Sequence, residues 1–215
     1  MRIRTLFLAG LGALLAGSQA QALSFTCISN EDANECLIGE AQFSATVTDV
    51  GGGQVSITFA NSGPQASIIA DVYIEDNASV FTGIASITDG TGTDFEIGAN
   101  PADLPGGNNA SPAFVADFSA DAEAPTGTGG NGADPGESFS VIMTLAGGKT
   151  FADVQSAFEL GSVRLGIHGQ GLGTSGGSES FVNGGGGGEN AVPEPTAALL
   201  FGAGVLAVSQ VRRRR

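Results

Sequence analysis

Ser138-Phe139-Ser140-Val141-Ile142-Met143-Thr144-Leu145 decides the fold class. Phe139, Val141, Met143 and Leu145 take alternate positions, against Ser138, Ser140, Ile142 and Thr144. A strand turns successive side chains to opposite faces, so this period of two marks a strand with one apolar face. The same pattern recurs outward. Phe43, Ala45 and Val47 share a face, as do Val55, Ile57 and Phe59. Ile68, Ala70, Val72 and Ile74 alternate next, followed by Val80-Phe81, Ile84 to Ile87, and Phe95 with Ile97. Phe114, Ala116 and Phe118 form a later run, and Val163, Leu165 and Ile167 the last.

Turn signals separate these runs: Gly51-Gly52-Gly53, Asn61-Ser62-Gly63-Pro64, Asp89-Gly90, Pro105-Gly106-Gly107-Asn108 and Asn131-Gly132. Asn100 to Pro112 and Asp121 to Gly136 read as longer loops. Short strands with regular turns predict an all-β fold, an antiparallel β-sandwich of the jelly-roll or immunoglobulin-like kind. One short helix is expected, where Phe151, Val154 and Phe158 recur at helical spacing. Thr150 would cap it with Asp153 at the third helical position, and Gly161 would end it. From Gly169 to Asn190 Gly and Ser dominate, and Gly184 to Gly188 are five consecutive glycines. The latter part reads as a flexible tether, because it cannot bury enough apolar surface to offset its ordering entropy.

The chain of 215 residues divides into four parts: a signal peptide over 1–22, an acidic β-domain over 23–183, a Gly-rich linker over 184–191 and a tail over 192–215. Arg2 and Arg4 precede an apolar run from Leu6 to Ala16, and Ala20-Gln21-Ala22 supplies the small-x-small pattern that signal peptidase reads. Cleavage is expected after Ala22, with Ala20 as the alternative. The leader is thus expected as a signal helix too short to span a bilayer comfortably.

All 22 acidic residues lie between Leu23 and Pro195, where Lys149 and Arg164 are the two cations, so this body carries a net charge of −20. Such a surface repels nucleic acid, and no basic patch offers a nucleic-acid partner a footing. Cys27 and Cys36 stand just past the leader. In an oxidising compartment an even pair this close reads as a disulfide. Metal binding is the alternative, although no histidine or second cysteine pair accompanies them.

The end of the chain carries a second address. Val192-Pro193-Glu194-Pro195 is followed by the apolar or small residues Thr196 to Val211 and then by Arg212, Arg213, Arg214 and Arg215. Sixteen residues of helix span about 24 Å, short of the roughly 30 Å hydrocarbon core. A transmembrane helix can still form if the arginines snorkel and the bilayer thins. The arginines act as a membrane stop on the cytoplasmic side, leaving the acidic body outside.

This ordered triple resembles the PEP-CTERM sorting signal of Gram-negative, exopolysaccharide-producing bacteria. The resemblance covers about the last 24 residues and implies an exosortase-type membrane processing enzyme as partner, with Val192, Pro193, Glu194 and Pro195 as the motif it reads. The chain would then be a substrate held briefly in the inner membrane and passed to the cell surface or beyond. The body also looks like a recurrent extracellular domain of PEP-CTERM proteins. Asn61-Ser62-Gly63-Pro64, Val72-Tyr73-Ile74-Glu75-Asp76, Asn131-Gly132 before Glu137-Ser138-Phe139, and Arg164-Leu165-Gly166-Ile167-His168 before Gly177-Ser178-Glu179-Ser180-Phe181-Val182-Asn183 carry that likeness. It implies no activity.

Residues that suggest chemistry have plainer accounts. Gly173-Thr174-Ser175-Gly176-Gly177 matches the nucleophile elbow, and Gly171-Leu172-Gly173-Thr174-Ser175-Gly176 the dinucleotide fingerprint. Both need a strand before and a helix after, and nothing helical follows. His168 is the sole histidine, so any Ser-His-Asp site must use it. With Val163, Leu165 and Ile167 in the core, Arg164 and His168 share the opposite face, in solvent or beside a carboxylate. Asp89-Gly90-Thr91-Gly92-Thr93-Asp94 could offer Ca2+ its carboxylates and carbonyls, but lacks the twelve-residue ligand pattern. No cofactor, metal or catalytic residue is therefore expected. The leading expectation is a non-enzymatic surface or matrix protein associated with exopolysaccharide. A carbohydrate- or calcium-binding module is the alternative, tested by calorimetry; with no Trp and Tyr73 alone, an aromatic platform for sugars is lacking. A secreted hydrolase built on His168 stands third, and full activity in His168→Ala would exclude its triad form.

Overall fold

The computed structural model describes residues 20–29 and 31–184. The expected signal helix, most of the linker, the sorting motif and the transmembrane helix lie outside these residues. Among the described residues no helix is long and apolar enough to cross a membrane.

In chain order the strands are β1 (Ala20–Ser24), β2 (Thr26–Cys27), β3 (Phe43–Gly51), β4 (Gln54–Asn61), β5 (Ile68–Asp76), β6 (Phe81–Thr88), β7 (Phe95–Ile97), β8 (Phe118–Ala122), β9 (Ser138–Leu145), β10 (Val163–Leu172) and β11 (Gly177–Val182). They form two antiparallel sheets: β1-β3-β4-β9-β6, and β2-β11-β10-β5-β8-β7. The β-sandwich read from the alternation is what the chain builds.

Register follows from the alternation. β4 and β9 pair Phe59 with Phe139, Ile57 with Val141 and Val55 with Met143, and all six are at most 2% exposed. A one-residue slip would turn every one of them to solvent. Phe95 from the other sheet stacks on Phe139 at 3.6 Å between ring centroids, which joins the two layers. Each such side chain contributes about 1.5–3 kcal/mol by burial.

Among the described residues of the β-domain two α-helices are present, not the single helix expected. The expected helix is α2 (Phe151–Glu159), with a full capping box: Thr150 Oγ1 accepts from the Asp153 amide, and the Asp153 carboxylate accepts from the Thr150 amide at 2.7 Å. The other, α1 (Ala33–Gln42), is capped by Asp32, whose carboxylate accepts from the Asn34 amide at 2.7 Å. Its buried face is Glu35, Cys36, Ile38, Gly39 and Gln42, a mixture too polar to show a clear apolar stripe. Gly39 is required there: a Cβ would stand 2.1 Å from Cζ of Phe181, so α1 lies directly on that ring.

The late run also differs from expectation. The strand starts at Phe118, and Phe114 lies outside it. Phe114 instead joins Leu104, Ala110, Tyr73 and Val182 in a second, smaller core. The segment 99–116, which includes the expected loop from Asn100 to Pro112 and the start of the expected Phe114 run, lies over the outer face of the six-stranded sheet, and this explains why all nine residues of β5 are buried.

Candidate functional site

The polar side chains of the outer sheet face are ordered by strand register. Val72 and Ile74 of β5, and Leu165 and Ile167 of β10, enter the main core. Asp71, Tyr73 and Glu75, and Arg164 and His168, must then point the other way. One row across the sheet reads Ser180, His168, Asp71, Asp121, Glu96 on β11, β10, β5, β8 and β7. A second pairs Arg164 with Glu75.

Arg164 is 2% exposed and forms a two-pronged ion pair with Glu75, Nε to Oε2 at 2.5 Å and Nη2 to Oε1 at 2.9 Å. Two further N–H groups donate to the carbonyls of Pro112 and Ala113, each at 2.8 Å. Glu75 also accepts from the Val115 amide at 3.0 Å, and the guanidinium carbon sits 5.4 Å from the Phe114 ring centroid. One buried arginine thereby fastens the covering segment to the sheet. Nearby, the Tyr73 hydroxyl donates to Pro101 O at 3.1 Å. Burial raises this phenol above its ordinary range, and Asp71, Asp121 and Asp103 raise it further.

His168 Nδ1 lies 2.7 Å from Asp71 Oδ2, the carboxylate pairing allowed for by the sequence. Ser180 stands across from His168 on the same face. Its amide takes Ser29 Oγ at 2.7 Å, and among the described residues no hydrogen bond joins Ser180 to the imidazole. The row thus holds an imidazole oriented by Asp71. On the other side of Asp71, Asp121 is pushed up to about 6, first by burial and then by the hydrogen bond and charge of Asp71.

A second polar centre lies at the start of the domain. Cys27 and Cys36 are joined, with sulfurs 2.00 Å apart, and tie β2 to α1. Glu179, 1% exposed, accepts from the Asp32 amide at 2.6 Å and from the Ser29 hydroxyl, and its Oε2 is 3.7 Å from Cys27 Sγ. The ligand atoms of Cys27, Cys36 and Glu179 all fall within 4.8 Å of one another. Sulfurs bonded to each other carry no thiolate charge, so in this disulfide form the trio lacks the donors a metal needs. Beside it is a groove of about 550 Å³ bordered by Asp32, Glu35, Gln65 and Ser175.

The elbow-like Gly173-Thr174-Ser175-Gly176 is the turn between β10 and β11, with a strand on each side. Ser175 Oγ donates to Glu35 Oε1 at 2.6 Å, and the Gly177 amide joins it at 3.0 Å. Asp89 to Asp94 is likewise a turn: Asp89 Oδ1 accepts from the Phe95 amide at 2.9 Å, and Thr93 Oγ1 from the Gly90 amide at 2.8 Å. Ala20 and Ala22 lie in β1, paired with Thr48 and Thr46. Val192, Pro193, Glu194, Pro195 and the four arginines lie outside the described residues. Sequence reasoning did not single out Asp71, Asp121, Glu75 or Glu179 as site residues. The signal of Asp71, Glu75 and Asp121 is slight, acids at outward positions of largely apolar strands, and Glu179 has none, in a strand that opens Gly-Ser-Glu-Ser. No family model, no curated protein and no solved structure matches this chain.

Proposed function

We propose that the chain is an exported surface or extracellular-matrix protein, non-enzymatic, sorted through its C-terminal PEP-CTERM-like signal and associated with exopolysaccharide. The ordered tail of Val192-Pro193-Glu194-Pro195, apolar segment and four arginines carries this reading. The Cys27–Cys36 disulfide supports it, because such bonds persist in oxidising compartments. The excess of carboxylates suits solubility outside the cell. On this reading signal peptidase removes the leader, an exosortase-type enzyme handles the tail, and the sandwich is of the jelly-roll or immunoglobulin-like kind. The inner membrane is a transient anchor before the surface. A reporter fused to residues 184–215 tests the address. Its processed fraction should be lost when Pro193-Glu194-Pro195 is replaced by alanines, and identical processing of both forms removes the sorting claim.

A further inference from the structure

On the outer face of the six-stranded sheet, one row sets acids against acids. His168 of β10, Asp71 of β5, Asp121 of β8 and Glu96 of β7 are direct cross-strand partners. Side chains so placed have Cβ atoms about 4.5–5.5 Å apart, and like charges there oppose the pairing of their strands. Asp71 is 5% exposed and Asp121 half-buried, so water screens this contact only in part. Asp121 stands directly across from Asp71 on this face, and two carboxyl groups so placed can hydrogen-bond only if one keeps its proton. The surroundings do not compensate a second charge. Tyr73 and Asp71 face Asp121 from β5 and Glu96 faces it from β7. Asp103 acts on Tyr73 from the covering segment, Glu96 and Asp94 crowd Glu123, and the Asn100 backbone alone favours the Asp121 carboxylate. His168 bonds the far side of Asp71, and Arg164, two same-face positions along β10, is held by Glu75.

We propose that β7–β8 is a proton-latched flap: protonated Asp121 donates to Asp71 and closes the ribbon against β5, and loss of that proton sets two carboxylates face to face and frees the ribbon. The lifted acidity of Asp121, to about 6, agrees in direction. Because the closed form holds the proton more tightly than the open one, closure is most favoured below the ordinary value of 3.8. It weakens as pH rises through the window up to about 6 and is level above it. The Arg164 clip to Pro112 and Ala113 has no such proton, so opening is confined to the β7–β8 ribbon and its ladder with β5.

Amide hydrogen exchange on the purified full chain at about pH 4.5 and about pH 7.5 tests this, each rate divided by that of unstructured peptide at the same pH. Protection of β8 amides should fall about tenfold or more, a figure discounted for the partial exposure of Asp121, while β9 and the Val115 amide hold theirs. Asp121→Asn, which can donate to Asp71 at every pH, should abolish the fall, with Asp71→Asn in its place if that variant does not fold. His168→Gln should retain it. Unchanged β8 protection in the parent, a fall in step at Val115, persistence of the fall in Asp121→Asn, or its loss in His168→Gln each overturns the latch.

Discussion

Removing the Arg164 guanidinium is the sharpest test of how the covered sheet face is held. Arg164→Met keeps most of the side-chain volume but strands Glu75, a carboxylate 2% exposed. It also takes the donors from Pro112 O and Ala113 O and the cation from the Phe114 ring. Breaking a buried pair by removing one partner costs about 3–5 kcal/mol, chiefly because the remaining charge stays buried. The lost carbonyl bonds overlap with that figure and are not added to it, since groups in one network are not independent. With a urea slope of about 2 kcal/mol per molar, a loss of about 4 kcal/mol lowers the unfolding midpoint by about 2 M. The double variant Arg164→Met/Glu75→Leu removes both charges and should recover more than half of that loss, because no ion is left in the interior. A midpoint shift below about 0.5 M in Arg164→Met, or a double variant as unstable as the single one, would refute the assignment of the pair as the fastening of the 99–116 segment.

Two further outcomes follow from the start of the domain. Replacing both Cys27 and Cys36 by serine releases a short loop, worth about 2–3 kcal/mol in the chain-entropy account; calorimetry should show a melting temperature lower by about 5–10 °C, and an unchanged melt would show the bond to be energetically idle. A chain beginning at Leu23 lacks the Gln21–Val47 and Ala22–Thr46 pairs that one beginning at Gln21 keeps; it should be less stable by about 1–2 kcal/mol, and equal urea midpoints would mean that this end of β1 contributes nothing.

The main core was legible because it is local. Phe139, Val141 and Met143 announce their strand within five residues, and the Thr150–Asp153 cap announces α2 within four. The elements that escaped notice lack such a pattern. β1 falls inside the stretch read as a leader and its cleavage site, where small residues serve both readings. β11 has apolar residues only at Phe181 and Val182, after a Gly-Ser-Glu-Ser opening that reads as tether. In α1 the inward face includes a glycine and two polar residues, each explained only by what lies opposite: Phe181 over Gly39, Ser175 against Glu35, and Gln65 and Ser67 against Gln42.

The outer face shows why a site is harder to read than a core. Alternation through Val72 and Ile74 correctly sends Asp71, Tyr73 and Glu75 away from the main core, although before the irregularity Ile69 rather than Ile68 enters it, and the obvious inference from polar residues there is solvent. That inference fails because a segment distant in sequence lies on top. Arg164 meets Glu75 across 89 residues and His168 meets Asp71 across 97, separations over which no periodicity carries information. One clue was nevertheless present. Arg164 and Lys149 are the only cations of a body with net charge −20, and Arg164 stands between Val163 and Leu165 in mid-strand. Alternation alone leaves such an arginine on the face opposite the core, which in an antiparallel sheet is commonly solvated. A buried guanidinium in turn demands a carboxylate and further acceptors. In the fold that demand is met by Glu75 and by the Pro112 and Ala113 carbonyls, to which the Pro- and Gly-rich stretch from Asn100 to Pro112 leads directly.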